Sequence, residues 1–151
     1  MDADDSHGNA TAAAVAARMA ETDRVFGRLG MRVESVAVGR CALSLTVRDD
    51  MLNGHDICHG GVIFTLADTA FAIACNSRNA VTLAQAAEVS FIAAGEPGEV
   101  LTATAEARTS GGRTGIYDVT VSGREGRLIA LFRGHSYRIR GKVVENLDTL
   151  D

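Results

Sequence analysis

Between Gly61 and Cys75 the chain reads Gly-Val-Ile-Phe-Thr-Leu-Ala-Asp-Thr-Ala-Phe-Ala-Ile-Ala-Cys, an apolar run with one charged residue, Asp68, near its centre. It is long enough for about four helical turns and apolar on nearly every side, which predicts a central helix enclosed by other elements. It falls short of the roughly 20 residues that span a bilayer. Burying an ionised carboxylate is costly unless it is paired, hydrogen-bonded or chemically employed. Asp68 is therefore a satisfied structural group, a metal or nucleic-acid contact, or a catalytic acid, base or nucleophile.

Composition narrows the choice. The chain has 151 residues, 46% of them apolar and 23% charged, with a single proline, Pro97. That is one globular domain with a real core. A formal net charge of -4 supplies no general attraction for nucleic acid or an anionic membrane. Cys41, Cys58 and Cys75 are odd in number and include no C-x-x-C pair, so neither a disulfide framework nor a zinc ribbon is expected. The acidic opening Met-Asp-Ala-Asp-Asp resembles neither a signal peptide nor a mitochondrial presequence, and a soluble cytoplasmic protein is expected.

Periodicity sets the order of elements. Residues 1–30 form an acidic, mobile start and then an amphipathic helix over Thr11 to Leu29, with a break near Thr22 and a stop at Gly30. Met31 to Val38 and Arg40 to Arg48 read as two strands turning at Gly39, and Asp49 to His59 as a loop. After the apolar helix come four period-two segments: Val81 to Ile92, Val100 to Arg108, Thr114 to Ser122 and Leu128 to Ile139. The expected fold is α+β, an antiparallel sheet of five to six strands wrapped around a central apolar helix, with an added N-terminal helix. The domain covers residues 31–140, and 141–151 form a C-terminal tail.

Within that order, Asn53, His59-Gly60-Gly61 and Leu66-Ala67-Asp68-Thr69-Ala70-Phe71-Ala72 resemble the signature of the hotdog-fold thioesterases. More narrowly they resemble the thioesterase group of bacterial phenylacetate degradation. Gly112-Arg-Thr-Gly-Ile-Tyr-Asp-Val119 and Ala130-Leu-Phe-Arg-Gly134 carry the likeness further. It covers about Met31 to Arg140. Ala93-Ala94 departs from the pattern, which has a basic residue and a proline there. The resemblance implies hydrolysis of an acyl-CoA, with an arylacetyl group favoured, by dimers often paired into tetramers.

The chemistry also follows from spacing. A helix starting near Gly61 has unsatisfied N–H groups at its positive end, so a carbonyl oxygen gaining negative charge would be stabilised there. Gly60 and Gly61 allow a thioester to approach the backbone closely. Asp68, seven residues on, lies roughly 10 Å along the same axis, whereas a catalytic group works at about 3 Å. A twofold dimer with antiparallel central helices would bring the Gly61 amide of one chain opposite Asp68 of the other. Asp68 then attacks the carbonyl or activates water, Thr69 orients the carboxylate or water, Asn53 holds water or substrate, and His59 fixes the loop.

Other readings are weaker. His55-Asp-Ile-Cys-His59 imitates H-E-x-x-H, but glycines on both sides favour a loop, so no metal and no other cofactor is expected. Cys58 beside His59 is a packing residue rather than a nucleophile. Arg113, with Arg108 or Arg133, would bind coenzyme A phosphates, since guanidinium groups match phosphate through paired hydrogen bonds. Asn76 is a helix cap or substrate contact, and Phe64, Phe71 and Phe91 are core. The alternatives are a hotdog enoyl-CoA hydratase or dehydratase, and a non-catalytic acyl-CoA-binding module. Enoyl-CoA hydration would mark the first, and tight acyl-CoA binding without turnover the second.

Overall fold

The computed structural model describes residues 3–151. Helix α1 (Ala3–Thr22) starts earlier than periodicity predicts and takes up most of the acidic opening. It breaks where expected: the Asp23 carboxylate accepts the N–H groups of Val25 and Phe26 at 2.9 and 3.1 Å and so starts α2 (Arg24–Arg28). Strands β1 (Arg32–Ala37) and β2 (Arg40–Thr46) turn at Gly39, whose φ of +73° suits glycine. Helix α3 (Gly60–Asn76) follows, then β3 (Thr82–Phe91), β4 (Val100–Gly111), β5 (Thr114–Ser122) and β6 (Leu128–Arg138).

The strands form one antiparallel sheet in the order β1-β2-β4-β5-β6-β3. α3 is the crossover that carries the chain from β2 to the far edge, and it lies on one face of the sheet. Alternation aims Leu43 and Leu45, Leu101, Ala103 and Ala105, Tyr117 and Val119, and Phe132 at Leu66, Ala70 and Phe71 of the helix. Small residues let helix and sheet close together: a Cβ on Gly134 would meet the Phe71 ring at 2.8 Å. Phe71 is fully buried, and truncating it to alanine would cost about 3–5 kcal/mol.

Residues 141–151 fold back against the domain. Asn79, fully buried with φ of +62°, donates from Nδ2 to the carbonyls of Val144 and Leu147 at 2.9 and 3.0 Å. Its Oδ1 accepts the Val144 N–H at 2.8 Å. Leu150 reaches Gly8 of α1, so tail and N-terminal helix meet.

Two surfaces differ from expectation. α3 is not enclosed on every side, because a single sheet wraps only part of a cylinder. Gly61 is exposed, and Phe64, Thr65, Asp68 and Ala72 are half-buried along the same side. The edges also contrast: each carries a bulge, but β1 is short and charged at Arg32 and Glu34, whereas β3 is long and leaves Leu83 and Phe91 each 54% exposed. Phe91 is therefore not core.

Candidate functional site

The chain enters α3 through a tightly tied loop. Asn53 Oδ1 accepts the N–H groups of His55 and Ile57 at 2.9 and 3.4 Å, and the Asn53 N–H donates to the Ile57 carbonyl at 2.9 Å. The Cys58 N–H donates to the Gly95 carbonyl and the His59 N–H to the Met51 carbonyl, both at 2.8 Å. His59 is thereby set as the residue capping α3. It fixes the loop as expected, but its side chain does more. His59 Nδ1 accepts the Gly61 N–H at 2.8 Å, while its carbonyl takes Val62 and Ile63 at 2.9 and 3.2 Å.

Spacing puts the expected oxyanion donor at Gly61. The Gly61 amide is occupied by the imidazole, whereas the Gly60 N–H finds no acceptor among the described residues. The unsatisfied donor at the helix start is Gly60. The Phe91 ring covers it so closely that a Cβ on Gly60 would stand 3.1 Å from the ring.

Asp68 lies two helical turns further on, roughly 12 Å from Gly60 along the axis. Among the described residues its carboxylate has neither a hydrogen-bond partner nor an ion pair, and at half burial its oxygens are left to solvent. Burial, with a smaller contribution from the Asp23 carboxylate, raises its pKa above the ordinary aspartate value. Thr69 does not orient it through a direct hydrogen bond: its hydroxyl donates to the Thr65 carbonyl at 2.7 Å, and that of Thr65 to the Gly61 carbonyl at 2.7 Å. Both hydroxyl hydrogens are spent on the helix. Cys58 is buried and its thiol pushed up to about 11, the state of an inert packing residue. His55 is on the loop and His59 on the cap, not on adjacent turns of one helix, so they do not form the zinc motif that their spacing imitates.

The expected phosphate-binding set divides. Arg133 grips Asp118 through Nε and Nη2 at 2.6 and 2.9 Å, and Arg108 reaches the same carboxylate at 3.5 Å. Asp118 alternates with buried Tyr117 and Val119, so this cluster is on the sheet face turned away from α3 and from Asp68. Asn76 is structural: Nδ2 donates to the carbonyls of Ala72 and Thr82 at 2.8 Å each, and Oδ1 accepts the Thr82 N–H at 2.9 Å. Arg113, whose guanidinium is hydrogen-bonded to the Tyr137 hydroxyl, lies beside Arg138, Arg140 and Lys142 on the wall of a cavity of about 940 Å³. Sequence reasoning missed those three. The cluster Arg138-Ile-Arg-Gly-Lys142 was the available signal.

A family model described as the thioesterase superfamily matches residues 55–130, from the tied loop through the first residues of β6. The chain belongs to the thioesterase superfamily. Acyl-coenzyme A thioesterase PaaI of Escherichia coli is 44% identical over 125 residues, 83% of this chain and 89% of the relative. A putative esterase of Archaeoglobus fulgidus is 36% identical over 121 residues, 80% of this chain and 79% of its own length. The solved structure of E. coli PaaI, from the phenylacetic acid degradation operon, superposes with a TM-score of 0.87 at 42% identity, covering 89% of this chain and 97% of that one. A Thermus thermophilus structure gives 0.75 at 35% identity, over 78% and 98%.

The fold of this superfamily member is the hotdog fold, with an added N-terminal helix. The protein is a thioester hydrolase. Such chemistry needs a group that creates the attacking oxygen and a donor for the oxyanion. Asp68 and the Gly60 amide are of the right kinds, at a separation that one carbonyl group does not bridge.

Proposed function

We propose that this thioesterase hydrolyses an acyl-CoA, with an arylacetyl group favoured, at a site made by two chains. The observation that carries the reading is the unpaired Asp68 carboxylate on the uncovered side of an apolar helix whose first free amide, Gly60, is out of its reach in the same chain. An antiparallel second α3 against this side would put each Asp68 opposite the partner's helix start. The open β3 edge, with Leu83, Phe91 and Ile92 exposed, offers a strand for the same twofold to pair.

In that site the thioester oxygen accepts the Gly60 N–H of one chain. Asp68 of the other either takes a proton from water, whose oxygen adds to the carbonyl carbon, or adds itself to give a mixed anhydride that water then cleaves. Collapse breaks the C–S bond, the thiolate leaves and picks up a proton, and the free acid remains. The helix dipole stabilises the transient oxyanion. The Asn53 Nδ2 hydrogens have no acceptor among the described residues and would hold the water or the substrate. Phe64 and Phe91 offer apolar and aromatic surface to an acyl group. Neither a metal nor a redox group enters these steps.

Thiol release from a series of aryl and aliphatic acyl-CoAs tests the reading. Hydrolysis fastest with arylacetyl groups and lost in Asp68→Ala supports it. Tight acyl-CoA binding with no turnover in the wild type contradicts it.

A further inference from the structure

Beyond Phe71 the space between α3 and the sheet turns from apolar to polar. Cys75, Thr82, Tyr117 and Ser136 line a cavity of about 180 Å³ there, and Arg78, Arg113 and Arg138 stand at its mouth. Tyr117 and Ser136 are 5% and 3% exposed, yet neither hydroxyl has a hydrogen-bond partner among the described residues. Every fully enclosed side-chain nitrogen or oxygen among those residues does have one, so both hydroxyls open into the cavity. The polar side chains around it are spent: Asn76 on Thr82, Ser77 on the Ala74 carbonyl and the Gly39 N–H, and Asn79 on the tail.

The floor is neutral. Burial, and then the neighbouring Cys75, pushes the Tyr117 phenol up to about 12, and burial pushes the Cys75 thiol up to about 12 as well. Neither offers an anion to a metal ion, and the phenol stays a hydrogen-bond donor. The Tyr117 ring leans on Phe71 with centroids 5.5 Å apart, which gives the cavity an aromatic wall. Gly115 keeps the floor open. It pairs with Ser136 across β5 and β6, and a Cβ on it would meet Ser136 Oγ at 2.8 Å and the Tyr117 ring at 2.9 Å.

The mouth is cationic. Arg78, half-buried, and the exposed Arg113 and Arg138 are accompanied by one acid, Asp151, whose carbonyl accepts Arg78 Nη1 at 2.7 Å. Three guanidinium groups outweigh the charge of about one half at the negative end of α3. The ligand that fits has a carboxylate at one end, a hydroxyl at the other and an apolar body between, and a cavity of roughly 150 Å³ holds one aromatic ring. We propose that this cavity is a second site, which retains the free hydroxyarylacetic acid with its carboxylate at Arg78 and Arg138 and its ring hydroxyl on Tyr117 and Ser136. The inference rests on the arylacetyl reading and adds a place for the product. Neither Gly60 nor Asp68 lines the cavity, and Cys75 is two turns, roughly 10 Å, beyond Asp68 along α3. An acyl group still held as a thioester has no charge to offer the guanidinium groups. The cavity therefore takes the acid only after the C–S bond is broken.

The test is calorimetric binding of 4-hydroxyphenylacetate, phenylacetate, 4-hydroxyphenylacetamide and inorganic phosphate to the wild type, to Ser136→Ala and to Tyr117→Phe. Neither hydroxyl bonds to the described protein, so both variants should fold as the wild type does. Expected is binding of 4-hydroxyphenylacetate about tenfold tighter than of phenylacetate, which lacks the hydroxyl, or of the amide, which lacks the charge. Each variant should lose about tenfold for the hydroxylated acid and nothing for phenylacetate, while kcat and KM for arylacetyl-CoA keep their wild-type values. Equal binding of the hydroxylated acid to wild type and variants would overturn the product site while leaving hydrolysis standing. A KM for arylacetyl-CoA that rises in step with the lost acid binding would also overturn it, by making the cavity part of the substrate site. So would phosphate binding as tight as that of the acid and indifferent to both substitutions, the mark of a plain anion site. Acid binding weakened in the variants, with no thiol release from any arylacetyl-CoA by the wild type, would uphold the cavity and sink the arylacetyl hydrolase reading instead.

Discussion

His59 Nδ1 accepts the Gly61 N–H at 2.8 Å, and that bond decides which amide at the start of α3 remains for a substrate. His59→Ala removes the cap and frees a second, competing donor. It should lower stability by about 1 kcal/mol and reduce kcat as the helix start frays. His59→Asn, which keeps a capping oxygen, should recover the stability, as thermal unfolding would register.

Asp68 has a raised pKa in the folded state because burial disfavours its charge, and Asp23 adds to this. Such a group gives its full stabilisation below the unfolded value and loses it as pH rises through the folded one. Ionised Asp68 is therefore a cost at neutral pH. Asp68→Asn should melt higher than wild type at pH 7, with the difference fading at about pH 4 and below. The same substitution should lower kcat at least 100-fold, a loss of roughly 3 kcal/mol. Wild-type kcat should fall with acidification around a midpoint above the ordinary aspartate range. A variant that melts no higher at pH 7 would show that the charge is satisfied after all.

Asn76→Ala separates structure from substrate contact. It strands the Thr82 N–H and carbonyl and should cost about 1–3 kcal/mol, while KM for acyl-CoA stays at the wild-type value. A raised KM in the folded variant would return Asn76 to the binding site.

The element order was legible because period two and an all-apolar helix are local properties of the chain. The break at Asp23, the turn at Gly39 and six strands could be read in that way. Asp68 stood out for the same reason, as a charge where no charge belongs. What no local pattern carries lies where long-range geometry decides. Arg133 meets Asp118 because β5 and β6 pair Asp118 with Arg133 in register, and no local pattern announces that. The choice of Gly60 over Gly61 depends on where the His59 ring points. The tail gave no signal because its anchor, Asn79, lies about 65 residues earlier in the sequence.

The loop near Ala93-Ala94 lacks the basic residue and proline that the resemblance implies, yet a guanidinium does reach it. Arg127 donates to the Ala94 carbonyl at 2.9 Å and pairs with buried Glu99, whose carboxylate also takes the N–H groups of Glu96 and Arg124. The neighbouring Gly95 carbonyl holds the Cys58 N–H just before the α3 cap. Arg127→Ala should cost about 2–3 kcal/mol, because Glu99 is left buried while Arg127 is partly exposed. It should also slow turnover by loosening the helix start. Unchanged kcat in the folded variant would detach this ion pair from the site.

The shared site is tested most directly by complementation between Asp68→Ala and Gly60→Pro. Proline is tolerated at the first helical position and deletes one N–H, His59, at ψ of 133°, has the backbone that precedes a proline, and the exposed Phe91 ring, 3.1 Å from a Cβ there, has room to turn aside. Each variant alone should be inactive. Unfolded and refolded together in equal amounts, they should regain about a quarter of wild-type activity, since half the dimers are mixed and each mixed dimer has one intact site. Full inactivity in mixed dimers shown to be folded would contradict a site built from Asp68 of one chain and Gly60 of the other.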